Sequence, residues 1–142
     1  ISGKVEDVNL RRTILRDIDG VEHHIPNGEI TTTSNKTKFW SRVHLKISIS
    51  YDADIQETID VLNATCKKFA ESEKWKPEII KVPTVSGIDE LGDSAIVYKI
   101  LGDVKPGTQW DGMRELRKVI KEALDKADIE IPYPHHVQIN KK

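Results

Sequence analysis

The sequence has little that would indicate a membrane span, a disulfide framework or a strongly charged partner. Among its 142 residues, the longest apolar stretches, such as residues 95–98, are far shorter than the roughly 20 residues that a spanning helix needs. Basic residues number 22 and acidic residues 23, so no net field would concentrate nucleic acid or an anionic membrane. We therefore expect no membrane-spanning segment within this sequence and no nucleic-acid partner.

The single cysteine, Cys66, leaves no possibility of an internal disulfide. It lies in register with Ile59, Leu62 and Phe69 at helical spacing, which predicts the buried face of a helix. A reactive cysteine would need an exposed, electropositive setting, so a core thiol is the better interpretation. The hydrophobic fraction of 37% and the charged fraction of 32% are typical of a folded chain with a well-charged surface.

The most informative stretch is residues 12–27, which predicts a β-hairpin. Two runs that can alternate apolar and polar residues flank Asp19 and Gly20, a dipeptide that tolerates the positive φ angles of a type I′ turn. Pro26 has no N–H for a strand ladder and should close the second strand, and Asn27 begins a further turn. The hairpin is therefore bounded on its exit side.

The chain divides into two predicted domains and a short tail. Strands and turns at residues 3–33, followed by the polar connector 34–38, predict a first domain at residues 1–38. Residues 39–134 predict a second domain of the ferredoxin-like type, in the order strand, helix, strand, strand, helix, strand. The fold class is therefore α+β, with helices on one face of an antiparallel sheet.

Periodicity and turn signals predict the elements of the second domain. The expected elements are a strand at 42–51, a helix at 54–72, strands at 78–85 and 94–101, a helix that follows residues 106–107 and ends near 126, and a short strand after Pro134. Asp54 should cap the first helix, and Thr108 with Asp111 should form a capping box on the second. Residues 86–87 should form a turn. The apolar stripe of the second helix is expected to comprise Trp110, Met113, Leu116, Ile120 and Leu124.

An ordered set of residues runs through positions 3–27: Gly3, Val5, Glu6, Arg12, Thr13, Arg16, Asp19, Gly20, Ile25, Pro26 and Asn27. At this spacing the set resembles the middle β domain of the small-conductance mechanosensitive channel family. Residues 39–134 resemble the carboxy-terminal α/β domain of the same family, at residues 51–55, 90–94, 110 and 129–134. The resemblance covers nearly the whole chain in the family's order.

The resemblance implies a soluble cytoplasmic cage region of a channel in the cell membrane. In that family, seven subunits build a hollow cage under the pore, and ions reach the pore through side portals. The chain would then be a fragment, with a truncated Sm/SH3-like β domain and its pore helices lying upstream. Its roles would be homoheptamer assembly, support of the gate and prefiltering of solutes, with no catalytic residue and no cofactor. The structural motif would consist of Arg12, Arg16, Asp19, Gly20, Pro26 and Asn27.

Residues 135–142 are expected to form a separate carboxy-terminal strand. The run alternates, with His135, Val137 and Ile139 on one face. In the family, the corresponding strands of seven subunits pair as a parallel barrel at the base of the cage. The resemblance therefore implies that these three residues form an assembly strand and point inward.

Two groups of residues could carry chemistry, and we assign none to either. His23 with His24, and His135 with His136, are candidate metal ligands, but adjacent strand residues point to opposite faces, so we expect no metal site. Ser94 follows glycine and aspartate as in some esterases, but the histidine that would complete such a site is missing from the segment where it is expected. A turn leading into a strand explains Ser94 without catalysis.

The amino-acid sequence leaves two alternative functions open. Ferredoxin-like domains often bind small molecules between paired sheets, so a regulatory domain for amino acids or nucleotides is the main alternative. That function does not explain the hairpin at residues 12–27. An esterase built on Ser94 is the third hypothesis, which an ester-hydrolysis assay with Ser94→Ala would decide.

Overall fold

Two three-stranded antiparallel sheets and two α-helices make up the described part of the computed structural model, residues 1–138. The elements are β1 (Lys4–Val8), β2 (Arg12–Arg16), β3 (Glu22–Pro26), a 3-10 helix (Asn27–Glu29), β4 (Ser41–Ile49), α1 (Ile55–Glu71), β5 (Ile79–Leu91), β6 (Ile96–Val104) and α2 (Gln109–Lys126). The predicted α+β class is confirmed. Two units are distinguished, Ile1–Asn35 with β1 to β3 and a second that begins at Lys36.

The hairpin predicted for residues 12–27 is confirmed, but the predicted turn type is wrong. β2 pairs antiparallel with β1 on one side and with β3 on the other. A five-residue loop, residues 17–21, joins β2 to β3. Within it Gly20 has a positive φ of 82°, whereas Asp19 does not, and a type I′ turn requires both. The longer loop is held instead by side-chain hydrogen bonds described below.

The sheet of the second unit has the strand order β4-β6-β5. β4 alternates as predicted, with Val43, Leu45 and Ile49 buried and His44 and Lys46 exposed. One face of the sheet packs against both helices, in a core that comprises Val43, Leu45, Ile49, Leu62, Cys66, Phe69, Trp75, Ile96, Tyr98, Ile100, Val104, Leu116, Ile120, Leu124 and Ile129. The opposite face carries the charged side chains of β4 and β6.

The two helices differ in how they begin. The Oδ1 atom of Asp54 accepts a hydrogen bond from the Glu57 N–H at 2.8 Å, so the predicted cap of α1 is confirmed. The predicted capping box on α2 is wrong. Thr108 makes no side-chain cap, because its hydroxyl donates to the Lys105 carbonyl, and the carboxylate of Asp111 accepts instead from Arg114. The chain at Thr108 is already helical, which turns its hydroxyl back toward the preceding turn.

The apolar stripes of the helices were predicted in their middle parts and not at their ends. Leu62, Cys66 and Phe69 of α1 are buried as expected, and burial raises the pKa of the Cys66 thiol to about 12. Ile55 is 45% exposed and Trp110 is 49% exposed, so neither contributes fully to the core. Both lie in the first turn of their helices, where Thr58 and Gln109 are the buried residues instead.

β5 is longer than predicted and continues through the expected turn at residues 86–87. Gly87 has a φ of 136°, and the pairing of β5 with β6 shifts register at four places. These irregularities allow a strand to continue through residues that favour turns. The Oδ1 atom of Asn63 on α1 accepts a hydrogen bond from the Val85 N–H at 2.9 Å, so the helix satisfies one backbone donor of this strand.

The short strand predicted after Pro134 does not form within the described residues, where positions 129–138 have no regular secondary structure. A strand requires a neighbouring strand for its backbone groups, whereas here Ile129 packs into the core and the tail makes isolated hydrogen bonds with Ser50 and Ser94. Ile139, the last residue of the expected assembly strand, lies outside the described residues. Within residues 1–138, no helix has the length and apolar character that a bilayer span requires.

Candidate functional site

Arg16 is the centre of the hydrogen-bond network in the first unit. Its guanidinium contacts both carboxylate oxygens of Glu6, with Nε 2.7 Å from Oε1. Nη2 also donates to Glu22 at 2.6 Å, and Nη1 donates to the Gly20 carbonyl at 2.9 Å. The hydrogen bond between Arg16 and Glu6 raises the pKa of the Arg16 guanidinium and lowers that of the Glu6 carboxyl. One side chain thus ties β1, β3 and the hairpin loop together.

Asp17 organises the loop, and the sequence analysis did not identify it. Its Oδ1 atom accepts hydrogen bonds from the N–H groups of Asp19 and Val21, both at 2.9 Å. Its Oδ2 atom lies 2.7 Å from Nε2 of His23. The hydrogen bond with His23, followed by those from the backbone, lowers the pKa of Asp17. The signal for this loop was an aspartate three residues before a glycine, which favours a side-chain-stabilised turn.

Asn27 joins the other end of the hairpin to the turn between β1 and β2. Its amide donates to the Asn9 carbonyl at 2.7 Å, and its Oδ1 atom accepts from the Thr13 hydroxyl at 2.9 Å. Asn9 in turn accepts from the N–H groups of residues 11 and 12. Arg12 is exposed and lies opposite Pro26 in the β2–β3 ladder. Four of the six predicted motif residues, Arg12, Arg16, Pro26 and Asn27, therefore lie at or next to the strand ends of one hairpin, and Asp19 and Gly20 lie exposed in its loop.

The carboxy-terminal tail follows the end of the second sheet. The Ser50 N–H, just after β4, donates to the Glu130 carbonyl at 3.0 Å. The His135 N–H donates to the Ser94 hydroxyl, just before β6, at 3.1 Å. Val137 is 89% exposed. The tail is thus fixed at two points and then leaves the sheet with an uncovered apolar side chain.

Three of the candidate chemical groups, Ser94, His23 and His24, have structural partners. The Ser94 hydroxyl accepts a backbone N–H from the tail, as described above. His23 contacts Asp17, whereas His24 contacts Glu22 at 2.6 Å, so the two adjacent imidazoles have different partners. Among residues 1–138, no group of three or more His, Cys, Asp or Glu side chains is arranged to hold a metal ion.

Two family models match this chain in order. The model described as mechanosensitive ion channel, beta-domain, matches residues 1–38, and the model described as mechanosensitive ion channel MscS, C-terminal, matches residues 43–131. A small-conductance mechanosensitive channel of Caldanaerobacter subterraneus subsp. tengcongensis is 34% identical over 134 residues, covering 94% of this chain and 46% of that protein. An uncharacterized MscS family protein of Archaeoglobus fulgidus is 35% identical over 145 residues, covering 96% and 47%.

Solved structures have the same fold. The crystal structure of Helicobacter pylori MscS in a closed state matches with a TM-score of 0.77 at 24% identity, covering 99% of this chain and 55% of that one. A cryo-EM structure of Arabidopsis thaliana MSL1 matches with a TM-score of 0.59 at 15% identity, covering 93% and 49%. The chain spans about half the length of the relatives that it matches.

Proposed function

Because this chain belongs to the mechanosensitive ion channel family, we propose that it is the cytoplasmic cage region of a channel in the cell membrane. The observation that carries the proposal is the match of two channel domains, in order, over residues 1–38 and 43–131. The curated relatives are about twice as long. In the longer protein, membrane-spanning helices would lie upstream, and this region would interact with the membrane only through them.

The proposed role of the first unit is to support the gate. Arg16 connects two strands and the hairpin loop by charge-assisted hydrogen bonds to Glu6 and Glu22, which are stronger than neutral ones. None of the 35 residues of this unit is fully buried, so packing alone contributes little to its rigidity. A polar network of this kind would keep the hairpin in one geometry beneath the pore.

The proposed role of the tail is homoheptamer assembly. The His135 N–H donates to the Ser94 hydroxyl, and Val137, two residues further along the chain, is exposed. A single short strand with one apolar face cannot cover that face alone, whereas seven strands closed into a barrel can.

The cage would admit solutes through side portals between subunits and prefilter them, and it would have no catalytic activity. The comparisons do not favour the regulatory small-molecule domain as an alternative.

A chimeric channel tests the proposal. Residues 1–142 would replace the matching region of the Caldanaerobacter channel, and the purified complex would be weighed by native mass spectrometry. We expect seven subunits. The matched control is the same chimera without residues 135–142, for which we expect fewer intact heptamers. A chimera that enters the membrane fraction but forms no closed oligomer would contradict the assembly role.

A further inference from the structure

Charge is distributed unevenly on the two sides of β4. Residues 30–51 contain four lysine or arginine residues and no acidic residue. Two aromatic side chains lie in this segment just before β4, with Phe39 82% exposed and Trp40 45% exposed. We refer to the exposed side chains of Lys36, Lys38, Phe39, Trp40 and Arg42 as the basic-aromatic surface.

The basic-aromatic surface is preorganised by contacts among its own residues and by the ion pair of Arg42 with Asp103 of β6, at 2.9 Å. Nζ of Lys38 lies 5.3 Å from the centroid of the Phe39 ring, and Cζ of Arg42 lies 4.7 Å from that of Trp40. Phe39 has a φ of 68°, a left-handed conformation that bulky residues rarely adopt. Strained backbone of this kind is concentrated at binding sites, and tryptophan and arginine are the residues enriched at interface hot spots. This surface therefore has the features of a docking site.

The segment after β4 has the opposite composition. Residues 47–66 contain four acidic residues and no lysine or arginine. We refer to the exposed side chains of Tyr51, Asp52, Ile55, Glu57 and Asp60 as the acidic surface. None of its three carboxylates forms an ion pair among residues 1–138.

Helix stabilisation explains only part of this acidity. The Asp54 side chain caps α1, and Glu57 lies in its first turn, where a negative charge favours the helix. Asp52 precedes the helix and Asp60 lies beyond its first turn, so neither charge is explained in that way. Tyr51 and Ile55 add two half-exposed apolar side chains, 49% and 45% exposed. The acidic surface thus combines apolar area with carboxylates that have no ionic partner within the described chain.

The two surfaces cannot satisfy each other within one copy of the chain. The basic-aromatic surface begins before β4, where the Ser41 hydroxyl donates to the Lys36 carbonyl at 3.0 Å. The acidic surface begins after Ile49, at the other end of the strand. Nine strand residues span about 27 Å at about 3.3 Å per step. β4 pairs with β6 in unbroken register, so the strand does not bend to bring its ends together.

We propose that the basic-aromatic surface of one copy docks on the acidic surface of a second copy of this chain. The inference rests on the self-association proposed above and adds which surfaces meet. Charge complementarity favours this pairing and opposes contact between two like surfaces. Because the two surfaces differ and lie at opposite ends of β4, the contact can repeat head to tail from copy to copy, as a ring requires.

Charge reversal with restoration tests the pairing. One variant carries Lys36→Glu with Lys38→Glu, a second carries Asp52→Lys with Asp60→Lys, and a third carries all four changes. Sedimentation of the 142-residue chain at low salt should show each two-residue variant associating at least about tenfold more weakly than the parent. The four-residue variant should recover most of the loss, because the two surfaces are again complementary.

Two further variants complete the test. Arg117→Glu with Lys118→Glu makes the same charge change on an exposed face of α2 and should leave association unchanged. Trp40→Ser should weaken association without changing the circular dichroism of the helices. Any of four results would overturn the docking. The parent chain stays monomeric, the two-residue variants associate as strongly as the parent, the control variant loses as much association as they do, or the four-residue variant does not recover association. The proposed channel function is judged separately, because the chimera reports it.

Discussion

Gly102 of β6 lies against Pro83 of β5 so closely that a Cβ atom at Gly102 would be 2.7 Å from the Pro83 Cα. Pro83 is fully buried and lies where the β5–β6 register shifts between residues 81 and 84. Proline has no N–H for the ladder, so a bulge at this position allows the strand to continue. The missing side chain at Gly102 makes room for the proline ring.

We expect Gly102→Ala to destabilise the second unit by on the order of 1–3 kcal/mol, because its Cβ would overlap backbone and ring atoms that cannot move independently. The matched control is Gly112→Ala in α2, whose Cβ would lie in ordinary contact at 3.4 Å from the Trp75 ring. Urea unfolding followed by circular dichroism measures both. Equal midpoints for Gly102→Ala and the parent would show that the sheet adapts freely at this point.

Gly20→Val should loosen the hairpin at a cost on the order of 1–3 kcal/mol, because a β-branched residue resists the positive φ of this position. Hydrogen exchange of the Gly20 and Asp17 amides, which close the loop by backbone hydrogen bonds, reports the effect locally. Gly28→Val is the control, since Gly28 has no positive φ and open space around it. Unchanged protection in Gly20→Val would contradict the assignment of the loop.

The carboxylate of Asp89 should titrate far below its ordinary range. Hydrogen bonds from Lys46, at 2.7 Å, and from Lys99 lower its pKa from 3.8 to about 2, although its position is on a sheet face that is partly open to solvent. A pKa lowered by folding stabilises the native state above about pH 4, and this contribution is lost as the pH falls toward 2.

NMR titration of the Asp89 carboxyl carbon provides the measurement, and a midpoint near pH 4 would contradict the ion-pair geometry. Asp89→Asn should also lose less stability than the parent between about pH 4 and pH 2. Asp93→Asn, which removes an exposed carboxylate with no ion pair among residues 1–138, is the matched control.

Removing residues 135–142 should weaken assembly and leave the melting temperature of the monomer nearly unchanged, because Val137 is 89% exposed within one copy. Sedimentation compares the truncated and intact chains. An unchanged distribution of species, or a loss of the monomer fold, would exclude the barrel.

The sequence was sufficient to predict the elements whose pattern is local. Alternation over residues 42–51 identified β4, and apolar spacing around Cys66 identified α1 with its buried thiol. The Asp54 cap was also predictable, because the donor and acceptor lie three residues apart. The existence of the hairpin followed from a glycine with turn-forming neighbours.

The features that the sequence analysis missed depend on contacts between distant residues. β5 continues through residues 86–87 because β6 pairs with it, which a turn propensity cannot anticipate. Asn9 and Asn27 meet across 18 positions of sequence, and no periodicity marks such a pair. The strand predicted after Pro134 is absent from the described residues because no neighbouring strand is available in one copy. The assembly role that we propose for the tail would therefore depend on other copies of the chain.

The most direct test of the channel assignment is a patch-clamp recording of the chimera in which residues 1–142 replace the matching region of the Caldanaerobacter channel. If the channel assignment is correct, we expect pressure-activated currents in membrane patches. These currents should be smaller when residues 135–142 are deleted. A chimera that reaches the membrane as an intact oligomer but passes no current at any tolerated pressure, while the parent channel opens in the same cells, would contradict the channel assignment.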